Sequence, residues 1–152
     1  MNRLELLISM EHYHKLEEFV EKLCYDLGLE KTYFSNIVSA SEFLFDICIR
    51  HYEHEVLVVS SSHSEDGLGI EFRIVFNQVK AESDFIPKLS EVFGQDIYSL
   101  QTISDRFTVD EQRHAVYILF NTTGQFDTKA QRRIDLLAGY LEKQTQRHRA
   151  VK

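Results

Sequence analysis

The stretch Ser41 to His51, SEFLFDICIRH, sets two carboxylates, Glu42 and Asp46, four residues apart inside an otherwise apolar helical pattern. Residues at that spacing share one helix face, so both acids point toward a common ligand, a common ion or solvent. A carboxylate among apolar side chains is costly unless it is paired, protonated or metal-bound. Around it, from about Thr32 to His51, Phe34, Ile37, Val38, Leu44, Phe45, Ile47, Cys48 and Ile49 spread over most of the circumference. That distribution predicts a central, largely buried helix with a narrow polar stripe. The plainer alternative is a polar edge facing water.

Outward from this helix the chain reads as a strand, two helices, a hairpin, helices, a second hairpin and a last helix. Upstream, Leu4 to Met10 suits a short strand, and Leu16, Phe19, Val20, Leu23, Cys24 and Leu27 recur at helical spacing before Gly28, a natural helix stop. Downstream, Glu55 to Ser60 is valine-rich, Asp66-Gly67 is a favoured tight turn, and Leu68, Ile70, Phe72, Ile74 and Phe76 alternate as a long strand with one buried face. A helix is expected near Ser83 to Phe93, with Pro87 in its first turn where proline is tolerated. Another runs from about Asp96 to Asp105. Strands follow near Phe107 to Val109 and Ala115 to Phe120, and a helix from about Thr128 to Arg147 presents Ile134, Leu137 and Leu141. Hairpin strands with grouped helices predict an α+β two-layer sandwich, its sheet mixed but mainly antiparallel and covered by helices.

The 152 residues, 43% hydrophobic and 27% charged, fit one domain, with residues 1–124 as its core and residues 125–152 as a basic C-terminal helix. The formal net charge of -7 argues against a general nucleic-acid binder, since phosphate contacts need concentrated Lys and Arg. Lys129, Arg132, Arg133, Lys143, Arg147, Arg149 and Lys152 face only Asp135 and Glu142 in the last 24 residues, leaving the first 128 at -12. A basic helix on an acidic body can steer a protein partner, a second copy in a homodimer, or only its own sheet. Cys24 and Cys48 fall at apolar helical positions and read as buried reduced thiols. With no long apolar run and no leader-like start, the expected location is the cytoplasm, away from membranes.

The order of elements and the Glu-x-x-x-Asp helix together resemble the histidine-kinase-like ATPase fold, and within it the small anti-sigma-factor serine kinases of bacterial partner-switching systems. The resemblance spans about Leu4 to Phe120. That family carries Glu-x-x-x-Asn on its second helix, so Glu42 falls at the Glu position and Asp46 replaces Asn. The resemblance implies ATP and Mg2+ as cofactors, with Glu42 polarising the attacking hydroxyl and Asp46 holding the magnesium. The family's adenine motif, Asp-x-Gly-x-Gly, corresponds to Asn77-Gln78-Val79-Lys80-Ala81, without either glycine. Its Gly-x-Gly-Leu turn corresponds to Gly94-Gln95-Asp96-Ile97, where only the first glycine is kept and Asp96 takes the place of the second; Ile103-Ser104-Asp105 then matches Leu-x-Asp.

These departures have chemical consequences. Asn77 offers adenine one carbonyl acceptor plus donors of its own, where aspartate would accept two bonds. Side chains at the glycine positions keep backbone N–H groups away from phosphate. Asp96 brings negative charge toward a triphosphate, a repulsion of about 4 kcal/mol for unit charges near ~4 Å at an effective dielectric of about 20. Magnesium on Asp46 would offset part of it.

Other candidate motifs fall away. Glu65-Asp66-Gly67-Leu68-Gly69 mimics the adenine motif but lies between two strand patterns, where a turn is needed. His51 and His54 are close enough to converge at a helix end, although a helix-terminal histidine is usually solvated. Neither a phosphate loop nor a nucleophile elbow occurs.

Two functions follow from the resemblance. In one, the chain is an anti-sigma-factor-like regulator that binds a sigma-factor or antagonist-like protein without phosphoryl transfer, its degenerate ATP site weak or absent. In the other, it is an active Mg-ATP-dependent serine kinase that phosphorylates an anti-anti-sigma-type partner, with Glu42 as base.

Overall fold

The computed structural model describes residues 2–29, 31–76 and 87–122. Among these, β1 (Arg3–Leu7) leads through a 3-10 turn into α1 (Tyr13–Asp26) and α2 (Lys31–Tyr52), and β2 (Val56–Ser64) and β3 (Gly67–Val75) form a hairpin. The short helices α3 (Leu89–Gly94) and α4 (Ile97–Ile103) precede a second hairpin, β4 (Arg106–Asp110) and β5 (Ala115–Phe120). The segments around Asn77 and the basic C-terminal stretch lie outside the described residues.

The strands lie in the order β1-β2-β3-β5-β4, with every neighbouring pair antiparallel. The fold is therefore α+β, but its sheet is uniformly antiparallel among the described residues, where a mixed one was expected. A helix pair joins β1 to β2. A parallel neighbour would need a single crossover helix, whereas two helices return the chain to the end it left.

Register turns the period-2 pattern into one core face. Leu6 stands opposite Leu57, Leu57 opposite Ile74, Val59 opposite Phe72, and Ile70 opposite Ile118, which also faces Phe107. These side chains share one core with Leu16, Val20 and Cys24 of α1 and with Ile37, Leu44, Phe45, Ile47 and Cys48 of α2. On the opposite face Arg113 of the β4–β5 turn donates to both Glu71 carboxylate oxygens, at 2.7 and 3.0 Å.

Turn chemistry fixes the element ends. Gly28, at φ +64, follows α1 in the left-handed conformation. Its N–H reaches the Tyr25 carbonyl at 3.0 Å and the Leu29 N–H reaches that of Cys24 at 3.2 Å, a Schellman closure. Glu65 and Asp66 form the β2–β3 turn, confirming a hairpin where the sequence mimics an adenine motif. There Gly67, at φ +124, is required, because a Cβ would collide with the carbonyl oxygen of Phe120.

Pro87 corrects an expectation. It precedes the helix, with extended Lys88 as the N-cap of α3, and its carbonyl accepts the Tyr52 hydroxyl at 2.8 Å. Among the described residues, no helix is long and apolar enough to cross a membrane.

Candidate functional site

Tight packing on nearly all sides of α2 leaves its polar stripe few outlets. Ile37, Ala40, Leu44, Phe45, Ile47 and Cys48 are fully buried, while Glu42 and Asp46 are half-buried. The two acids share a face as the spacing predicts, yet they meet different neighbours.

Glu42 faces α1. Tyr13 donates its hydroxyl to the Glu42 carbonyl at 3.3 Å, and the Tyr13 ring meets Phe45 edge-on at 5.6 Å, fixing this crossing. The Glu42 carboxyl comes against that of Glu17 with Glu21 nearby. Burial pushes it up from 4.5 to about 8, and the hydrogen bond to Glu17 and the charges of Glu17 and Glu21 push in the same direction. Glu42 is thus mostly protonated at neutral pH, and its carboxyl is hydrogen-bonded to that of Glu17.

Asp46 faces the other way along the stripe, toward Arg50 one turn later. The Arg50 guanidinium lies 3.8 Å from the Asp46 carboxylate and 4.0 Å from that of Asp96. Asp46 is the more enclosed, its side chain only 16% exposed. One cation from the chain therefore bridges the two acids for which the resemblance implied metal and nucleotide binding. Asp96 sits at the N-cap of α4 without capping it by its side chain, while its carbonyl accepts the first-turn N–H of Leu100 at 2.9 Å.

Gly94, which the resemblance set at the first glycine of a Gly-x-Gly turn, closes α3 in helical conformation. A Cβ there meets nothing within 4 Å. Its backbone does not require glycine, in contrast to Gly67. Asn77, the remaining candidate for the nucleotide, lies outside the described residues.

The candidate histidine pair does not form a site. His54 takes a left-handed φ of 75 beyond the end of α2 and pairs with Glu53 at 3.1 Å in solvent. Among the described residues, no group of three or more His, Cys, Asp or Glu is placed to hold a metal ion. Cys24 and Cys48 are buried, as expected, and burial pushes each thiol up to about 12.

Arg50 and Glu17 are the site residues that sequence reasoning missed. Arg50 was legible, since it stands at i+4 from Asp46, the spacing of a helical ion pair. Glu17 carried no such signal. Its partner is set by how α1 crosses α2.

No protein-family model matches this chain, and no curated protein matches it either.

Proposed function

We propose that this chain is an anti-sigma-factor-like regulatory protein that works by binding a protein partner, with an internal ion-pair bridge in place of a working nucleotide site. The supporting observation is Arg50, whose guanidinium lies within 4.0 Å of both Asp46 and Asp96. A magnesium ion on Asp46 would have to displace a cation already tethered one helical turn away. Magnesium gives up its hydration shell reluctantly, so a single half-buried carboxylate already neutralised by arginine is a poor ligand for it.

The partner in this reading is a sigma factor or an antagonist of one, and the α4 end of the bridge is the natural contact surface. Tyr98 is 82% exposed and Ile97 39% exposed, directly after Asp96. Exposed tyrosine beside a charged rim is the composition of protein interfaces.

The kinase reading keeps one observation in its favour. The Glu42 carboxyl titrates near neutrality, where a general base works best. Against it, the Glu42 carboxyl is already engaged in a hydrogen bond with Glu17.

Calorimetric titration of the chain with ATP and ADP, with and without magnesium, tests the choice. The expected result is no magnesium-dependent heat at millimolar nucleotide, while a sigma-factor or antagonist partner co-elutes equally with and without nucleotide. Magnesium-dependent binding that disappears in Asp46→Ala would overturn the proposal in favour of the kinase.

A further inference from the structure

A cavity of about 540 Å3 lies apart from the α2 bridge, where the end of β3 meets the β4–β5 turn and the entry to α3. Its size falls within the roughly 300–1,000 Å3 of small-molecule sites. Val75, Phe76, Pro87 and Leu89 supply an apolar floor, and Val75 is 40% exposed. The Phe76 ring is braced edge-on by Tyr52 at 5.6 Å and by His114 at 5.0 Å, so the floor is formed before any ligand arrives.

The charge around this floor is the reverse of the charge of the chain. The first 128 residues carry a formal charge of -12. Yet Arg73, Lys88, Arg113 and His114 line this one cavity, and Glu111 is the one acid among its described lining residues. Arg113 is already answered, since it donates to both carboxylate oxygens of Glu71 at 2.7 and 3.0 Å. Asp110, in the same turn, accepts the Arg113 N–H at 3.3 Å and does not line the cavity. Glu111 is closed to a ligand: Oε2 is buried, and Oε1 accepts the Ser90 hydroxyl at 3.3 Å and the Ser90 N–H at 3.5 Å. Its charge still offsets one cation. Arg73 and Lys88 have no carboxylate partner among the described residues. One positive charge is therefore left over, and His114 adds a second whenever it is protonated.

That surplus sets the demands on a ligand. An amine is repelled by Arg73 and Lys88 and finds no open carboxylate. A small inorganic anion leaves the apolar floor wet, and a neutral apolar molecule leaves the surplus charge unanswered. We propose that this cavity binds a small monoanion with an apolar body, the chemistry of aryl and branched-chain carboxylates. The carboxylate pairs with Arg73 and Lys88, the guanidinium offering the planar fork that matches it. The apolar body lies over Val75, Phe76, Pro87 and Leu89. The site uses none of the residues of the α2 bridge and stands whether or not the regulatory reading does.

The test titrates the full chain at pH 7 with 3-phenylpropionate, with the neutral 3-phenylpropanol, with phenethylamine and with acetate. Phenylpropionate is expected to bind about tenfold more tightly than phenylpropanol, the worth of one hydrogen bond to a charged group. Phenethylamine, of the wrong charge, and acetate, without the apolar body, are expected not to bind. Replacing both cations, Arg73→Gln with Lys88→Gln, should bring phenylpropionate down to the affinity of phenylpropanol and leave phenylpropanol where it was. The melting temperature of that variant separates loss of the site from loss of the fold. Equal binding of acid and alcohol to the parent chain would mean an apolar slot only, and acetate binding as tightly as phenylpropionate would mean surface charge only. Either result, no binding of phenylpropionate at millimolar concentration, or a preference for it that survives in the folded variant would overturn the proposal.

Discussion

Replacing Glu42 by Gln isolates the raised carboxyl at the crossing of α1 and α2. In the folded chain the carboxyl is raised from 4.5 to about 8, chiefly by burial and then by Glu17 and Glu21. A raised carboxyl binds its proton more tightly folded than unfolded. Its contribution to stability is therefore whole below about pH 4.5, falls as pH rises to about 8, and is flat above. At about 1.4 kcal/mol per pH unit the full rise corresponds to roughly 5 kcal/mol. The carboxyl is half-exposed, and water screens it, so about 1–2 kcal/mol is the realistic size. Glutamine cannot ionise but still donates to Glu17. In urea unfolding from pH 5 to pH 9, Glu42→Gln should match the parent near pH 5 and exceed it by about 1–2 kcal/mol at pH 9. Taking the difference between the two chains removes the histidines, which titrate in both. A difference that stays constant with pH, or a variant less stable at pH 9, would refute the raised Glu42 carboxyl.

Three further outcomes follow from the geometry. Gly67→Ala should lower stability by about 2–4 kcal/mol in thermal or urea unfolding, because the new Cβ meets the Phe120 carbonyl oxygen and φ +124 is strained for any other residue. Arg50→Met should cost about 1 kcal/mol by leaving the enclosed Asp46 carboxylate without its cation, and adding Asp46→Asn should recover part of that loss in a double-mutant cycle. Cys24 and Cys48 should resist a thiol reagent at pH 8 until the chain unfolds, since burial raises both to about 12; labelling at the rate of a free thiol would contradict their burial.

Sequence pattern proved most informative where a single face decides the outcome. The alternation from Leu68 to Ile74 gave β3 because a one-residue slip would turn Phe72 out of the core, and Gly28 ended α1 because only a left-handed residue completes that cap. Pattern was weaker around Pro87. The residue before a helix and the residue in its first turn look alike in sequence, and the Tyr52 hydroxyl on the Pro87 carbonyl, 35 positions away, is a tertiary contact that local signals do not carry. The direction of the strands was half legible: each hairpin was visible, but the antiparallel pairing of β1 with β2 depends on two helices intervening instead of one.

The candidate site shows the same division at the level of single residues. Glu42 and Asp46 were legible as a pair because helical spacing puts them on one stripe, and that spacing also led to the expectation of one shared ligand. The shared face turned out to be divided. Glu42 lies where α1 crosses and finds a second carboxyl, while Asp46, one turn on, lies beyond that crossing and finds Arg50 and Asp96. A helix stripe is a sequence property, but which neighbour covers each turn of it is a property of the helix crossing, and chemistry follows the neighbour. Two acids four residues apart can therefore meet opposite surroundings, Glu42 buried against a like neighbour and Asp46 in ion-pair contact with an unlike one. Asparagine at position 46 would leave this bridge incomplete but not open, because Arg50 would still stand beside Asp96.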